Sequence, residues 1–214
     1  LRRRKSTALI SRESMVMCVM IKLFHEKIQT KKGDFGERLV DEYIKSRKKM
    51  IPYEPVWPGA HPFDRILASP DKKDLLILDV KSKARRQMYP DQGIDFKHYI
   101  QYKTISEKYN IPVFLVFVDE GKGEAYGNYL RNLEIPVSIR VRDQEKDYPS
   151  IEFSGAKIIY FPISNMITLF RLTSEQQKAL RDLSSRNPSY RYANNCSVSC
   201  EVSTPAFVTA RSKE

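Results

Sequence analysis

Two charged residues, Asp79 and Lys81, follow directly on a run of four apolar residues at positions 75–78. A short apolar run of this kind predicts a strand that is buried on both faces. Because side chains alternate along a strand, Ile77, Asp79 and Lys81 fall on the same face. Either charge is costly to bury alone. The pattern therefore predicts compensation, either by a bound metal and a phosphate or by a plain ion pair between Asp79 and Lys81.

Another acidic residue, Asp64, lies upstream in a short stretch, residues 63–68, that predicts a strand. Residues 69–71 predict a turn that returns the chain into residues 74–82 as an antiparallel hairpin. Asp64 and Asp79 then lie on the two arms of the hairpin and converge at one end of it. Two carboxylates presented in this way suit a hard divalent cation, which takes oxygen ligands and retains water.

Apolar periodicity and breaker residues predict the elements that must position this hairpin. In chain order they are a helix opened by residues 33–34 and ending at 45–49, an edge strand or irregular segment over 51–57, the hairpin strands, a basic polar loop over 83–93, a helix over 94–109, a buried strand over 111–118, one or two strands within 157–172, and a helix over 173–186. Thr173 and Gln176 have the spacing of a capping box. Residues 125–155 show no clear pattern. The order predicts an open or three-layer α/β sheet.

With Glu37 on the first predicted helix, the chain presents Glu37, Asp64 and the triplet Asp79-Val80-Lys81 in that order. This order resembles the PD-(D/E)XK nuclease superfamily, which includes many restriction endonucleases and archaeal Holliday-junction resolvases. The resemblance covers roughly residues 33–120. It implies an α/β fold with a restriction-endonuclease-like core, a central mixed β-sheet flanked by helices in the order αβββαβ. One departure is an extra residue between the proline and the aspartate of the first motif, which reads Pro-Phe-Asp here.

By that resemblance Asp64, Asp79 and the Val80 carbonyl would hold Mg²⁺, with Mn²⁺ as a substitute. Lys81 would orient or help to deprotonate the attacking water and would stabilise the phosphate. We expect the electrostatic role, because an ammonium beside phosphates keeps its proton. Glu37 would be an outer ligand or would position a water. The implied activity is that of a Mg²⁺-dependent DNA endonuclease, with Glu37, Asp64, Asp79 and Lys81 as catalytic residues.

Five polar residues near the triplet are candidates for nucleic-acid binding. Lys83, Arg85 and Arg86 follow the triplet directly and could line a phosphate path or a solvated loop. Gln101 and Lys103 lie on the predicted helix over residues 94–109, where they could face the site.

Each candidate also has a plain structural interpretation. Glu37 lies three residues after Asp34 and could complete a capping box. Asp64 could be a surface acid, and Asp79 with Lys81 a structural pair, although an apolar pair often serves as well. The alternative function is a non-catalytic, basic nucleic-acid-binding module on a nuclease-like fold. A nuclease that acts on RNA is a third hypothesis. The presence of all the polar positions together favours the enzyme.

The charge of the chain indicates a polyanionic partner, which we predict to be DNA. The 214 residues carry a net charge of +11, and the sequence pI is about 9.5. Residues 1–50 contribute fourteen Lys or Arg against six Asp or Glu. We predict a basic arm or short helix over residues 1–32, one nuclease-like domain over 33–186 and a polar tail over 187–214. Cutting both strands of a duplex also favours a homodimer.

Cysteine usage and hydropathy indicate the compartment. Cys18, Cys196 and Cys200 are odd in number and lack paired spacing, which argues against disulfides and zinc and fits a reducing, cytoplasmic location. Residues 15–23, the most apolar N-terminal stretch, are interrupted by Lys22 and are too short to span a bilayer, so we predict no membrane association.

Overall fold

The computed structural model describes residues 27–55, 61–71 and 73–185. The helices are α1 (Ile28–Arg47), α2 (Phe96–Tyr109), α3 (Leu130–Leu133) and α4 (Ser174–Ser185). The strands are β1 (Ile51–Tyr53), β2 (Arg65–Ala68), β3 (Leu75–Ser82), β4 (Asp91–Asp95), β5 (Val113–Asp119), β6 (Glu124–Tyr129), β7 (Val137–Val141), β8 (Gln144–Tyr148), β9 (Ser150–Ser154), β10 (Ala156–Pro162) and β11 (Ile167–Arg171). The predicted tail and most of the predicted arm lie outside the described residues, as do the three cysteines.

A six-stranded mixed sheet forms the centre, in the order β1-β2-β3-β5-β6-β11. Strands β2 and β3 form the predicted antiparallel hairpin, and β3 runs parallel to β5 with α2 in the connection between them. The predicted α/β class is confirmed, and α1, β1, β2, β3, α2 and β5 occur in the predicted αβββαβ order, with strand β4 of a separate sheet inserted between β3 and α2. A three-stranded sheet, β4-β10-β9, and the β7–β8 hairpin complete the described part.

The two faces of β3 belong to two different cores, as strand alternation predicts. On one face Leu78 and Val80 pack with Val40 of α1 and Leu180 of α4. On the other face Ile77 packs with residues of α2, β5 and the small sheet. Asp79 and Lys81 therefore point toward the α2 side of the sheet. None of the helices in the described residues is both long enough and apolar enough to cross a bilayer.

The first helix begins earlier than predicted. It begins at Ile28, so Gly33 and Asp34 lie inside α1 rather than at its start. Its first turns carry mostly polar side chains, so the sequence shows no apolar helical periodicity there. Because Asp34 is not an N-cap, the capping-box interpretation of Glu37 is wrong. The capping box of α4 is confirmed, since Thr173 and Gln176 exchange both side-chain hydrogen bonds, at 2.9 and 3.2 Å.

The region predicted as a polar loop ends in strand β4. Asp91 and Gln92 are fully buried, with 0% and 1% of their surface exposed. Ion pairing with Arg86 and a hydrogen bond from Tyr148 (2.8 Å) satisfy the Asp91 carboxylate. A strand whose buried side chains are polar does not show an apolar pattern, so the prediction of a loop over all of residues 83–93 was wrong. The helix predicted from residue 94 begins at Phe96 instead.

Candidate active site

Asp64 and Val80 lie where the hairpin opens. Asp64 sits one residue before β2, not on the strand as predicted, but its N–H still donates to the Leu78 carbonyl (3.1 Å). Its Oδ2 accepts a hydrogen bond from the Val80 N–H at 2.7 Å. Because the N–H and C=O of a strand residue point to the same side, the Val80 carbonyl also faces the side on which Asp64 lies.

Asp79 and Lys81 form a close pair. Asp79 Oδ2 lies 2.7 Å from Lys81 Nζ, and only 3% of the Asp79 side chain is exposed. This oxygen nevertheless makes no hydrogen bond of good geometry within the described part of the chain. Tyr102, on α2, lies within interaction range of the same carboxylate. The Lys81 side chain remains 27% exposed, so it can reach both Asp79 and a ligand.

Glu37 approaches the hairpin from α1 and is held there by an arginine. Arg65 Nη1 donates to Glu37 Oε2 at 3.1 Å. The same guanidinium binds the Asp41 carboxylate, with Nη2 and Nε at 3.0 and 3.2 Å. Since Arg65 opens β2 and both acids lie on α1, this network fixes the helix against the hairpin. Gly36 allows the close approach, because a Cβ there would lie 1.7 Å from Ser82 Oγ.

Crowded negative charge is the electrostatic signature of the site. Burial and, next, the Asp64 carboxylate raise the pKa of Glu37 to about 7. Burial and then Asp79 raise the pKa of Asp64 to about 6. Burial also raises the pKa of Asp79, and Glu37 adds to that rise. Each carboxylate thus lies within electrostatic range of the other two, and the structure brings them together.

Lys81 is the cation at the centre of this cluster. Burial alone would lower its pKa, but Asp79 and, to a smaller extent, Asp64 outweigh burial and raise it. The ammonium therefore keeps its proton at neutral pH. This protonation state favours the electrostatic role that we predicted for Lys81 over the role of a base.

The donor set fits a hard cation. Asp64, Asp79 and the Val80 carbonyl offer oxygen only, and Mg²⁺ characteristically takes one or two carboxylates and keeps several waters. The buried Asp79 Oδ2, which lacks a hydrogen bond in the described chain, is one position that a cation would satisfy. No group of three or more His, Cys, Asp or Glu side chains in the described ranges is arranged to hold a metal. The predicted metal ligands include only two such side chains, the carboxylates of Asp64 and Asp79, and the third ligand is a backbone carbonyl.

The basic residues after the triplet have different surroundings. Lys83 lies two residues beyond Lys81, and burial lowers its pKa to about 8. Arg85 Nε lies 3.5 Å from the buried Asp119 carboxylate. Arg86 forms ion pairs with Asp91 and Glu152 and stacks over a tyrosine ring. Among the three, Lys83 stays the strongest candidate for phosphate contact, whereas the contacts of Arg86 indicate a structural role.

The two candidates on α2 flank Tyr102, the residue of this helix that interacts with Asp79. Gln101 is exposed, and Lys103 Nζ lies 3.2 Å from Glu134 Oε1. Tyr102 faces the site, and His98 lies within electrostatic range of Lys81. Nucleic-acid binding by Gln101 and Lys103 stays a prediction.

Four residues near the site were missed by the sequence analysis. Arg65 directly follows Asp64, and this adjacency was the available signal. Asp95, His98 and Tyr102 recur at spacings of three and four residues, which places them on one face of a helix. Asp95 helps to raise the pKa of Lys81, so it lies near the site. Once that is known, the spacing identifies His98 and Tyr102 as further residues near the site.

The fold and site together define a mixed-sheet α/β protein with a carboxylate–lysine cluster at the end of a β-hairpin. No protein-family model matches the chain, and no curated protein matches it in sequence. Among solved structures it is similar to Hjc, a Holliday junction resolvase from the archaeal hyperthermophile Archaeoglobus fulgidus, with a TM-score of 0.40 and 10% identity over 63% of this chain and 86% of that chain. It is also similar to a nuclease from a fusselovirus, with a TM-score of 0.37 and 16% identity over 70% of this chain and 88% of that chain.

Proposed function

We propose that this protein is a Mg²⁺-dependent nuclease that hydrolyses DNA phosphodiester bonds as an endonuclease. The observation that carries the proposal is the meeting of Glu37, Asp64, Asp79 and Lys81 at one end of the β2–β3 hairpin. Their mutual electrostatic effects support this proximity. Three acids, Asp79 buried and the other two half-buried, that raise one another's pKa are unfavourable for the fold alone, and such clusters are typical of functional sites.

Asp64, Asp79 and the Val80 carbonyl would hold Mg²⁺, which would supply positive charge at the scissile phosphate and acidity to a water molecule. Lys81 holds its proton and stabilises the negative charge that develops on the phosphoryl oxygens. Tyr102 and Lys81 orient the Asp79 carboxylate.

Glu37 is the side chain of the cluster best suited to exchange a proton near neutral pH. Its pKa is about 7, with burial as the main cause, and an effective general base has a pKa near the working pH. Arg65 binds its Oε2 and thereby orients the carboxyl group. We propose that Glu37 positions the attacking water and takes up its proton.

The alternative is a basic nucleic-acid-binding module without turnover. The close contact of Lys81 with Asp79 supports it, because a structural ion pair would have the same geometry. The two hypotheses differ in cleavage and agree in binding, so a cleavage assay separates them.

The test is incubation with supercoiled, linear and branched DNA, with Mg²⁺ or with EDTA. A covalently closed circle has no ends, so its nicking identifies an endonuclease. We expect nicking with Mg²⁺, none with EDTA, and none with the Asp79→Asn variant, which keeps the side-chain shape. Binding of all substrates without cleavage by the wild type in Mg²⁺ or Mn²⁺ would favour the binding module. A matched RNA duplex tests the third hypothesis.

A further inference from the structure

The small sheet ends in an edge strand with exposed apolar side chains. Among the described residues β9 (Ser150–Ser154) pairs with β10 on one side only. Ile151 is 48% exposed and Phe153 is 78% exposed. An unpaired strand edge is a template for the addition of another strand, and neither side chain belongs to the candidate active site.

Several other sheet edges in the described chain have features that hinder such pairing. Strand β1 contains Pro52, which lacks an N–H. Strand β11 has an irregular register between Thr168 and Phe170. In the β7–β8 hairpin Arg140 and Glu145, both exposed, lie opposite each other. Strand β9 has neither a proline nor a register shift against β10.

The one charge on β9 is neutralised within the chain. Glu152 Oε2 lies 2.6 Å from Arg86 Nη1, and its other oxygen pairs with Lys146. This matters because the chain carries a net charge of +11, and two copies repel one another unless they meet at a locally neutral surface. Strand β9 itself meets this condition, although Lys157 of the neighbouring strand β10 adds one positive charge beside it.

The surface around Phe153 continues beyond the strand through Lys157. Lys157 Nζ lies 3.8 Å from the ring centroid of Phe96 and 5.7 Å from that of Phe153. The lysine therefore bridges the two rings and joins β9 to the start of α2. A stable interface buries at least about 1,000 Å² in total, so a five-residue strand needs this neighbouring surface as well.

The sequence of β9, Ser-Ile-Glu-Phe-Ser, has the same pattern of polarity in both directions. If two such strands pair antiparallel about a two-fold axis at Glu152, Ile151 of one copy lies opposite Phe153 of the other. This self-complementarity is what an interface between identical surfaces requires. We infer that β9 pairs with β9 of a second copy of this chain, which joins the two three-stranded sheets into one continuous sheet.

The test is the mass of the protein in solution, measured by multi-angle light scattering without DNA. We expect twice the chain mass of 25.0 kDa for the wild type and the single chain mass for Phe153→Lys at the same concentration. A central interface residue is typically worth 2 kcal/mol or more, so the dimer dissociation constant should rise by about 30-fold or more. The matched control is Ile135→Lys, since Ile135 is also exposed (56%) but lies in a loop.

Circular dichroism melting shows whether each variant is folded, and Phe153→Ser replaces Phe153→Lys if the lysine variant does not fold. A monomeric wild type at about 100 µM overturns the inference. That result would also arise if a chain segment or a nucleic acid covers β9 instead. A folded Phe153→Lys variant that remains dimeric overturns it too. Because the readout is mass, its failure is distinct from a failure of the proposed cleavage.

Discussion

Replacement of Lys81 distinguishes a catalytic role of this residue from a structural ion pair with Asp79. Lys81→Met keeps the length of the side chain and removes its charge. If Lys81 acts on the phosphate, the rate of single-turnover cleavage should fall by about 10²–10³-fold, which is the loss typical of one positioned electrostatic group. The variant should still bind DNA and Mg²⁺. Single-turnover kinetics at saturating protein, beside melting with and without Mg²⁺, measure this.

The matched control is Lys83→Met, two residues further along the same face of the chain. Lys83 is a candidate for phosphate contact, so its replacement should weaken DNA affinity and leave the saturated rate nearly unchanged. Near-wild-type cleavage by Lys81→Met in Mg²⁺, with a lower melting temperature only in EDTA, would instead identify Lys81 as the ion-pair partner of Asp79.

The raised pKa of Glu37 predicts a pH dependence of stability in the metal-free protein. The folded value of about 7 exceeds the ordinary 4.5, mainly because of burial. The folded state therefore binds the proton more tightly, and this contribution to stability is complete below pH 4.5 and is lost as the pH rises through 7. Glu37→Gln should remove about 1–2 kcal/mol of the decline between pH 5 and pH 8, a figure discounted for solvent screening.

Urea unfolding in EDTA at the two pH values measures this difference. Glu42→Gln is the control, because Glu42 lies on the same helix with an exposed side chain and should behave as the wild type. Equal pH dependence in Glu37→Gln and the wild type would show that Glu37 does not carry a raised pKa.

The convergence of Asp64, Asp79 and Lys81 could be predicted from the sequence, because strand alternation and a short hairpin fix it locally. The contact of Glu37 with Arg65 could not be predicted in this way. Arg65 reaches Asp41 and Glu37 across 24 and 28 positions of the chain, and this contact depends on how α1 docks on the sheet. Local patterns contain no information about that docking.

At the scale of elements, the docking of α1 on β3 depends on Gly36, which has no side chain. An added Cβ at Gly36 would lie 1.7 Å from Ser82 Oγ and 3.0 Å from Ser82 Cβ. Gly36→Ala should therefore destabilise the protein by about 1–3 kcal/mol through overpacking. It should also slow cleavage, because Glu37 is the next residue on the helix. Urea unfolding and single-turnover cleavage measure the two effects.

Gly33→Ala is the matched control on the same helix, since nothing lies within 4 Å of a Cβ added there. Alanine should stabilise the helix at this position by about 0.5–1 kcal/mol. The double variant Gly36→Ala with Ser82→Gly should recover much of the lost stability. Equal stabilisation by both alanine substitutions would show that α1 does not pack closely on β3.

Elements with apolar patterns, such as β3 and β5, could be predicted, whereas β4 could not. Its buried side chains, Asp91 and Gln92, are polar and are satisfied by hydrogen bonds with residues outside the strand. The β7–β8 hairpin, whose strand β7 alternates between exposed and half-buried residues, has no apolar run and was missed for a related reason.

At the scale of the whole molecule, the basic N-terminal segment should contribute to DNA affinity rather than to chemistry. Residues 1–26 contain six Lys or Arg and two Glu and none of the candidate catalytic residues. Their removal should reduce the slope of log K against log salt by about 0.9 for each phosphate contact that is lost. Salt titrations of DNA binding measure this slope, and cleavage at saturating protein should be unchanged.

Removal should stop before Lys27, because α1 begins at Ile28 and the predicted boundary at residue 32 would cut into it. A variant without residues 1–32 is therefore the comparison that should lose stability. Loss of saturated cleavage in the shorter deletion would place residues 1–26 in the fold or in the site.

The buried Glu120 carboxylate at the end of β5 joins the two ends of the described fold. Its Oε1 lies 2.5 Å from Lys32 Nζ of α1 and 3.0 Å from Ser184 Oγ of α4. The first and last helices therefore lie side by side, which is the geometry that tolerates circular permutation. A chain that is joined between these helices by a short linker and opened at the exposed Arg142–Asp143 turn would keep the contacts of the candidate site. The site depends on the spatial arrangement of these elements and not on where the polypeptide begins.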